Sequence, residues 1–381
     1  MDLSIIEKKI HNAINNTYCP GMVVLISLNF EVVYHQAFGY LDSSHQEKAT
    51  IETVYDLASL TKQLATTTAI MILYDKGMIN LSDRVSKYLT EIRDAEKRHI
   101  TISHLLSNSA GFVSYKPYYT SLLDIEQKEG KPLIGHHEAK RYYYDFLCNE
   151  KLEYEPGSKS IYSDLGFMLV GFIIEKISSM ELDEFCDKFI FTPLGLKKTF
   201  FNDLSQGEQS ISILRKNHHT FAPTENCPWR KKVLCGQVHD DNAYAMGGVA
   251  GHAGLFSTAS DIHKLLRALC MPYSLDQPHN FLPTHVIKKF FARQDIPGST
   301  WCLGWDTPSP KGSSSGHLFS KDSIGHTGFT GTSIWIDLKR NLWVILLSNR
   351  IHPSRQNFKF NSLRPELHDA ILRWAIEIMR L

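Results

Sequence analysis

The stretch "LASLTKQLATTTAIMILYDK" spans residues 57–76 and is apolar for most of its length, yet it begins with a serine and a lysine three positions apart. Its apolar residues recur every three or four positions, which predicts an amphipathic or fully buried helix. Ser59 and Lys62 then lie one turn apart on the same face. A lysine amine that loses hydration beside a serine hydroxyl is a candidate acceptor for the hydroxyl proton. The alternative is an N-cap serine followed by a solvated lysine.

The composition limits which partners the protein could have. The chain has 381 residues, of which 43% are hydrophobic and 21% charged, and these values are typical of a globular protein with a sizeable core. The net charge of +1 favours neither nucleic acid nor an anionic membrane as a partner. Apolar runs are short or interrupted by charges, so we expect no membrane span. A small molecule or peptide is the expected substrate.

The N-terminus and the cysteines bear on the compartment. The sequence "MDLSIIEKKIHNAINN" mixes charges through an apolar stripe, which predicts an amphipathic helix and not a signal peptide. The seven cysteines are odd in number and include no C-x-x-C pair, which favours reduced thiols. We therefore expect a cytoplasmic protein, or a periplasmic one if a leader has been removed.

Strand patterns occur at both ends of the chain. The run "GMVVLISLNFEVVYHQAFGY" predicts a hairpin that turns near Asn29. Near the C-terminus, "HTGFTGTSIWIDL" and "NLWVILLSN" predict a second hairpin joined by "KR". Helical patterns dominate between about residues 100 and 200. We expect an α+β fold, in which an antiparallel sheet from both chain ends is flanked by helices and a mostly helical lobe is inserted. The single domain 1–381 would comprise a sheet lobe (1–56 and 300–381) and a helical lobe with loops (57–299).

Three short motifs follow one another along the chain. They are S-L-T-K at 59–62, Y-S-D at 162–164 and H-T-G at 326–328. The first begins a long helix, the second follows a Pro-Gly turn into an apolar helix, and the third lies on a strand before a hairpin. This set resembles the signature of the penicillin-recognising serine hydrolases, whose class C β-lactamase branch carries S-x-x-K, Y-x-N and K-T-G in that order. The resemblance extends from about residue 20 to the end and implies a β-lactamase/transpeptidase-like fold.

The chemistry of these motifs centres on the serine. A serine hydroxyl is a poor nucleophile without a neighbouring base, and Lys62 and Tyr162 are the two candidates. A phenol near an ammonium group has a lowered pKa, so either residue could take the proton. The resemblance further implies an oxyanion hole made by the backbone N–H groups of Ser59 and Phe329.

Two motif positions depart from the β-lactamase pattern. Asp164 stands where an asparagine is usual, so an acceptor-only carboxylate replaces an amide donor. His326 stands where the family has a lysine that helps to hold the substrate carboxylate, so a permanent charge becomes a partial one near neutral pH. A histidine at this place also resembles related esterases and peptidases that act on D-amino acid peptides. Thr327 and Gly328 follow it on the strand that is expected to position the acyl donor.

A glycine-rich segment is the next candidate for a substrate contact. The sequence "QVHDDNAYAMGGVAGHAGLFSTASD" at 237–261 resembles a segment of bacterial β-lactamase-related proteins and low-molecular-weight penicillin-binding proteins. Its glycines allow tight turns and close backbone approach, either beside a substrate cleft or in a stiff connector. Asn242 and His252 are the two residues that we expect to contact substrate.

Histidines and carboxylates in the same region raise the question of a metal. None shows H-E-x-x-H or another fixed ligand spacing, so we expect neither a metal nor any other cofactor. The residues concerned are His218, His219, His239, Asp240, Asp241, His252 and His263.

The function expected from these observations is hydrolysis of an amide or ester through an acyl-enzyme on Ser59. The expected substrates are D-alanyl peptides, as for a D,D-carboxypeptidase, or small esters, with β-lactams as a weaker third class. The departures at Asp164 and His326 motivate an alternative, a catalytically idle relative that binds peptide-like ligands.

Overall fold

The computed structural model describes residues 3–205, 219–276 and 280–379. Within these ranges the chain forms ten strands: β1 Gly21–Leu28, β2 Glu31–Gly39, β3 Tyr55–Asp56, β4 Phe200–Phe201, β5 Asn226–Cys227, β6 Lys232–Val233, β7 Leu255–Ser257, β8 Ile324–Thr327, β9 Ser333–Asp337 and β10 Leu342–Ser348.

The same ranges contain eleven α-helices, most of them in the middle of the chain as predicted. They are α1 Ser4–Asn15, α2 Thr68–Asp75, α3 Ile102–Leu106, α4 Tyr118–Glu129, α5 Ala139–Asn149, α6 Asp164–Ser178, α7 Leu182–Cys186, α8 Asp241–Ala245, α9 Ala259–Leu275, α10 Thr284–Phe291 and α11 Phe360–Met379. None of the helices in the described ranges is both long and apolar enough to cross a bilayer. No disulfide links the seven cysteines, all of which lie in these ranges.

The largest sheet joins both ends of the chain. Its strand order is β2-β1-β10-β9-β8, and every neighbouring pair is antiparallel. Along β1, Val23 and Leu25 belong to the core shared with the central helices, whereas Val24 and Ile26 pack in the core formed with α1 and α11. Because both faces are covered, the run at residues 22–26 is apolar without interruption. The predicted α+β fold and two-ended sheet are confirmed, while the boundaries of the two lobes stay a prediction.

The first hairpin turns where the sequence predicts. Asn29 and Phe30 both have positive φ, at 49° and 70°, which is the backbone that a two-residue hairpin turn requires. The second hairpin is also present, since Leu342 of β10 pairs with Asp337 of β9. The run "HTGFTGTSIWIDL" is not one strand, however. It divides into β8 and β9 at residues 328–332, and this interruption lies beside the candidate active site.

The helix predicted over residues 57–76 is present but changes type along its length. A 3₁₀ turn at Ala58–Leu60 leads into a π-helical segment at Lys62–Thr67 and then into α2. All six π-helical residues are buried. The polar side chains bond to neighbouring loops, since Gln63 donates to the Gly304 carbonyl at 2.7 Å and Thr66 to the Gly251 carbonyl at 2.6 Å. These tertiary bonds accompany the wider turn, a feature often found at functional sites.

Candidate active site

Ser59 lies on the short 3₁₀ turn, directly after a strained residue. Ala58 has a φ of 47°, in the left-handed region that non-glycine residues rarely occupy at a cost of about 1 kcal/mol or more. The buried Asp56 carboxylate supports this backbone by accepting the N–H of Ala58 at 2.9 Å. Its other oxygen accepts the N–H of His239 at 2.7 Å. The turn that presents Ser59 is thereby tied to the glycine-rich segment.

Lys62 is fully buried and reaches three acceptors with its amine. Its Nζ lies 3.1 Å from Ser59 Oγ, 2.8 Å from the carbonyl oxygen of His252 and 2.7 Å from Asp164 Oδ1. Its side chain has 0% exposure and that of Asp164 has 15%. A buried ammonium requires a counter-charge, and the Asp164 carboxylate supplies it.

Tyr162 completes a hydrogen-bonded ring around the serine. Its hydroxyl lies 2.6 Å from Ser59 Oγ and donates to Asp164 Oδ1 at 3.0 Å. Burial raises the pKa of the Tyr162 phenol well above its usual value, and the charge of Asp164 raises it further. The lowered pKa expected for a phenol beside a lysine is therefore wrong, because burial and, after it, the charge of Asp164 both raise the pKa of Tyr162. Tyr162 is a neutral phenol at physiological pH.

The third motif lies against the segment that precedes Ser59. Thr330 Oγ1 donates to the carbonyl of Asp56 at 2.7 Å, and Thr332 Oγ1 donates to that of Leu57 at 3.1 Å. A Cβ at Gly328 would lie 2.5 Å from the Leu57 oxygen, so only glycine fits there. The turn at 328–332 thus holds Phe329 beside the same cavity as Ser59, consistent with the expected pair of backbone donors.

His326 lies beside Tyr162 but is not charged. The two ring centroids are 5.6 Å apart, and His326 Nδ1 donates to the carbonyl of Thr327 at 2.8 Å. Burial, together with the nearby Lys62 ammonium, lowers the pKa of the His326 imidazole to about 3. The partial positive charge expected at this position is therefore wrong, since burial keeps the ring neutral. Thr327 pairs with Ser333 at the end of β8 and lines the same cavity.

A cavity of about 850 Å³ opens above Ser59. Each of the three motifs contributes to its lining: Ser59, Tyr162, Asp164, His326, Thr327, Gly328 and Phe329. Two further predicted site residues lie elsewhere. Asn242 is fully buried outside this lining, with its carbonyl oxygen 3.0 Å from the Tyr143 hydroxyl and its amide donating to the Lys116 carbonyl at 2.8 Å. The expected substrate contact at Asn242 is thus corrected to a structural role.

His252 lies one layer behind the cavity, not in its lining. Its backbone carbonyl holds Lys62, and its ring Nε2 lies 2.9 Å from Asp240 Oδ1. Burial opposes ionisation of Asp240, but the contact with His252 holds the pKa of that carboxyl below its usual range. His252 therefore supports the site through Lys62 and through Asp240, which itself lines the cavity.

The residues with metal-ligand chemistry have other partners. His239 pairs with Glu225 at 3.1 Å, and Asp241 pairs with Arg230 at 2.7 Å. Within residues 3–205, 219–276 and 280–379, no group of three or more His, Cys, Asp or Glu side chains is arranged to hold a metal. His218 lies outside the described residues.

Comparison with known proteins identifies the family. The sequence profile of the Beta-lactamase family matches residues 6–363. The chain belongs to the Beta-lactamase family. This family comprises serine hydrolases, so the resemblance based on the three motifs is confirmed.

Curated relatives and solved structures agree with the family assignment. The chain is 36% identical over 357 residues to a protein of Escherichia coli K12 named "Putative D-alanyl-D-alanine carboxypeptidase", covering 87% of this chain and 79% of that protein. A Salmonella typhimurium protein of the same name is 35% identical over 374 residues, covering 92% and 83%. The octameric penicillin-binding protein homologue from Pyrococcus abyssi has the same fold, with a TM-score of 0.72, 22% identity and coverage of 98% and 78%. So does the hydrolase EstCE1, with a TM-score of 0.71, 20% identity and coverage of 96% and 97%.

Two arginines in this Beta-lactamase family cavity have no carboxylate counter-ion in the part of the chain that the structure describes. Arg350 and Arg364 both line it, and among the described residues no carboxylate lies within ion-pair distance of either. The Nε of each is buried without a hydrogen-bond partner. Burial, followed by the charge of Arg350, lowers the pKa of Arg364 to about 9. Two repelling guanidinium groups without a carboxylate favour the binding of an anion.

Four of the cavity-lining residues that sequence reasoning missed bear on the chemistry of the site. Arg350 and Arg364 are single cations without a motif, so nothing distinguishes them from surface charges in the sequence. Trp301 and Asp306 lie in "WCLGWD", where the concentration of aromatic residues beside a glycine was the available signal. Burial raises the pKa of Asp306 to about 6. Perturbed carboxyl groups in clefts are typical of functional sites.

Proposed function

We propose that this protein is a serine hydrolase that forms an acyl-enzyme on Ser59 and cleaves the terminal amide of D-alanyl peptides. One observation carries the proposal. Ser59 Oγ lies within hydrogen-bond distance of both the Lys62 amine and the Tyr162 hydroxyl, at 3.1 and 2.6 Å, and lines a cavity of about 850 Å³. A nucleophile in contact with groups that can exchange its proton is the arrangement that covalent catalysis requires.

The reaction would proceed in two halves. Ser59 Oγ attacks the substrate carbonyl carbon as its proton leaves toward Tyr162, and the N–H groups of Ser59 and Phe329 stabilise the oxyanion. When the C–N bond breaks, the leaving amine takes up the proton and departs as D-alanine. Water then attacks the ester, and Ser59 recovers its proton. Lys62 stays close to Ser59 Oγ throughout and offsets negative charge there.

The arginine pair supports a substrate with a free carboxylate. His326 is neutral, so it cannot provide the charge that the lysine of K-T-G supplies elsewhere in the family. Arg350 and Arg364 provide two cations along the same cavity, and neither has a carboxylate partner among the described residues. Each guanidinium donates instead to a backbone carbonyl, that of Asn357 and that of Thr332 respectively. A guanidinium binds a carboxylate through paired hydrogen bonds. The C-terminal carboxylate of a D-alanyl peptide satisfies this requirement, whereas a simple neutral ester does not. The names of the curated relatives point to the same substrate class.

The idle alternative has less support. It is motivated by the replacements at Asp164 and His326. Asp164 nevertheless engages both Lys62 and Tyr162 without separating either from Ser59. These contacts support an active enzyme over the idle alternative.

The test compares three substrates. An N-acylated peptide ending in D-Ala-D-Ala, the same peptide with a C-terminal amide, and p-nitrophenyl butyrate are incubated with wild-type and Ser59→Ala protein. We expect release of D-alanine from the free acid at a kcat/KM at least tenfold above cleavage of the amide, and no turnover by Ser59→Ala. Equal rates for acid and amide would refute the substrate class. Full activity of Ser59→Ala would refute the mechanism, and no turnover of any substrate would favour the idle alternative.

A further inference from the structure

The hydrogen bonds around Ser59 continue beyond Tyr162 to a carboxylate. Ser59 Oγ lies 2.6 Å from the Tyr162 hydroxyl, and that hydroxyl donates to Asp164 Oδ1 at 3.0 Å. A hydroxyl has one proton to donate and two lone pairs with which to accept. With the Tyr162 proton on the bond to Asp164, the Ser59 proton is free to point at Tyr162. The three groups form a continuous path for a proton from serine to carboxylate.

The lysine is arranged to donate and not to accept. An ammonium has three N–H donors and no lone pair. Lys62 Nζ has three acceptors within 3.1 Å, namely Ser59 Oγ, the His252 carbonyl and Asp164 Oδ1. As an ammonium in this geometry it cannot take the serine proton, although it can stabilise the alkoxide that forms.

The phenol is not the final acceptor either. Burial, with the charge of Asp164, raises the pKa of Tyr162, so the hydroxyl carries its proton at physiological pH. A neutral phenol can accept the serine proton only while it passes its own proton on. The carboxylate of Asp164 is the group to which it donates.

We propose that Asp164 is the terminal acceptor of the Ser59 proton, which reaches it through the Tyr162 hydroxyl. This inference rests on the proposed function. As Ser59 Oγ bonds to the carbonyl carbon, the C=O π pair moves to the carbonyl oxygen. The serine proton moves to Tyr162 Oη, and the tyrosine proton moves to Asp164 Oδ1. The negative charge of Asp164 is thereby exchanged for that of the oxyanion, and Lys62 keeps its charge.

Collapse of the intermediate reverses the proton path. The C–N bond breaks, its electron pair stays on nitrogen, and the Asp164 proton returns through Tyr162 to the leaving amine. The asparagine that the class C pattern has at this position could not serve, because an amide does not accept a proton under these conditions. The aspartate at position 164 would therefore change the route of proton transfer and would not mark a loss of catalytic function.

Several titratable groups face Asp164 and bear on its pH dependence. Lys62 and Tyr162 contact it directly. The Asp164 charge also acts on His326 and Tyr115, whose pKa values are about 3 and well above neutrality. Neither of those two groups changes charge between pH 4 and 8, so neither can produce an acidic limb of the pH–rate profile in that interval. Asp240 is held ionised by His252.

The test is the pH profile of Asp164→Asn with p-nitrophenyl butyrate, a substrate with no group that titrates between pH 4 and 9. We expect kcat/KM to fall about 10²- to 10⁴-fold, the usual contribution of proton transfer, and the acidic limb of the wild-type profile to disappear. Glu175→Gln is the matched control, since Glu175 lies on the same helix α6 and pairs with a partly buried lysine, Lys140, at 2.7 Å. The control should keep both the rate and the acidic limb.

Two results would overturn the inference. One is activity of Asp164→Asn within threefold of wild type, as the class C pattern predicts, and the other is a lower rate with the acidic limb unchanged. Neither result would refute the proposed function as a serine hydrolase, because that proposal is tested by Ser59→Ala. If Asp164→Asn does not fold, the inference is tested instead by a proton inventory, in which kcat/KM of the wild-type protein is measured in mixtures of H₂O and D₂O. If two protons move in the transition state, kcat/KM depends on the D₂O fraction along a curve. A linear dependence would refute the proton path from Ser59 through Tyr162 to Asp164.

Discussion

Removal of one cavity arginine tests how the substrate is recognised. Arg350→Gln is the preferred change, because Arg350 is held at the cavity wall between Phe329 and Phe358, with its guanidinium carbon 4.9 and 5.6 Å from their ring centroids. Glutamine keeps much of the stem but removes the charge. Arg364, which is also buried, keeps the second guanidinium in place.

The expected loss of kcat/KM follows from the hydrogen bond that the substrate carboxylate would make to Arg350. A hydrogen bond to a charged group contributes about 1.5–3 kcal/mol, which corresponds to about 10- to 150-fold in kcat/KM. We expect a loss of this size for the free-acid D-alanyl peptide and a change of less than about threefold for its amide. The melting temperature should stay equal or rise, since Arg350 and Arg364 repel each other and neither has a carboxylate partner among the described residues.

The assay measures the release of D-alanine from the acid and of D-alaninamide from the amide, side by side. Arg355→Gln is the matched control, because Arg355 lines the same cavity but already bonds to Glu225 and Asp241, at 2.6 and 3.1 Å. Its loss should lower the melting temperature and leave the acid-to-amide ratio unchanged. An equal loss on acid and amide with Arg350→Gln, or no loss on either, would refute the carboxylate site.

Two further predictions concern stability. Asp306→Asn should stabilise the fold by about 3 kcal/mol at pH 8 but by less than about 1 kcal/mol at pH 4. Burial raises the folded pKa of Asp306 from 3.8 to about 6, so the native wild-type protein loses stability as the pH rises through this interval. Denaturant titrations at both pH values measure the free energy of unfolding, and an equal gain at both would contradict the prediction. Gly251→Ala should destabilise by about 3 kcal/mol, since its Cβ would lie 2.2 Å from the backbone oxygen of Phe167, whereas Gly166→Ala on α6 should stabilise by about 0.5–1 kcal/mol. Equal melting temperatures for the two alanine variants would refute the packing argument.

Local patterns in the sequence predict the parts of the site that depend on spacing. Three residues of helix place Ser59 and Lys62 on one face whether the turn is 3₁₀ or α, so their 3.1 Å contact follows from the motif. The alternation of β1 side chains between the two cores and the paired positive φ angles at Asn29 and Phe30 are likewise local. The resemblance to a known family, and not periodicity, placed Tyr162 beside Ser59.

The features that sequence reasoning missed depend on contacts between distant segments. The π-helical segment is tied to Gly251 and Gly304, about 190 and 240 residues further along the chain. His326 is neutral because the fold buries it, and a sequence records no burial for a single histidine. In the sequence, Asn242 resembles a residue that contacts substrate. Its hydrogen bonds to Tyr143 and Lys116, which give it a structural role, depend on the fold.

Labelling of Ser59 tests the central claim most directly. Wild-type and Ser59→Ala proteins are incubated with an activated fluorophosphonate, and intact mass followed by peptide mapping locates the adduct. The account predicts one adduct per chain, on Ser59, that is absent from Ser59→Ala. A wild-type protein that remains unlabelled, or an adduct on any residue other than Ser59, would contradict it.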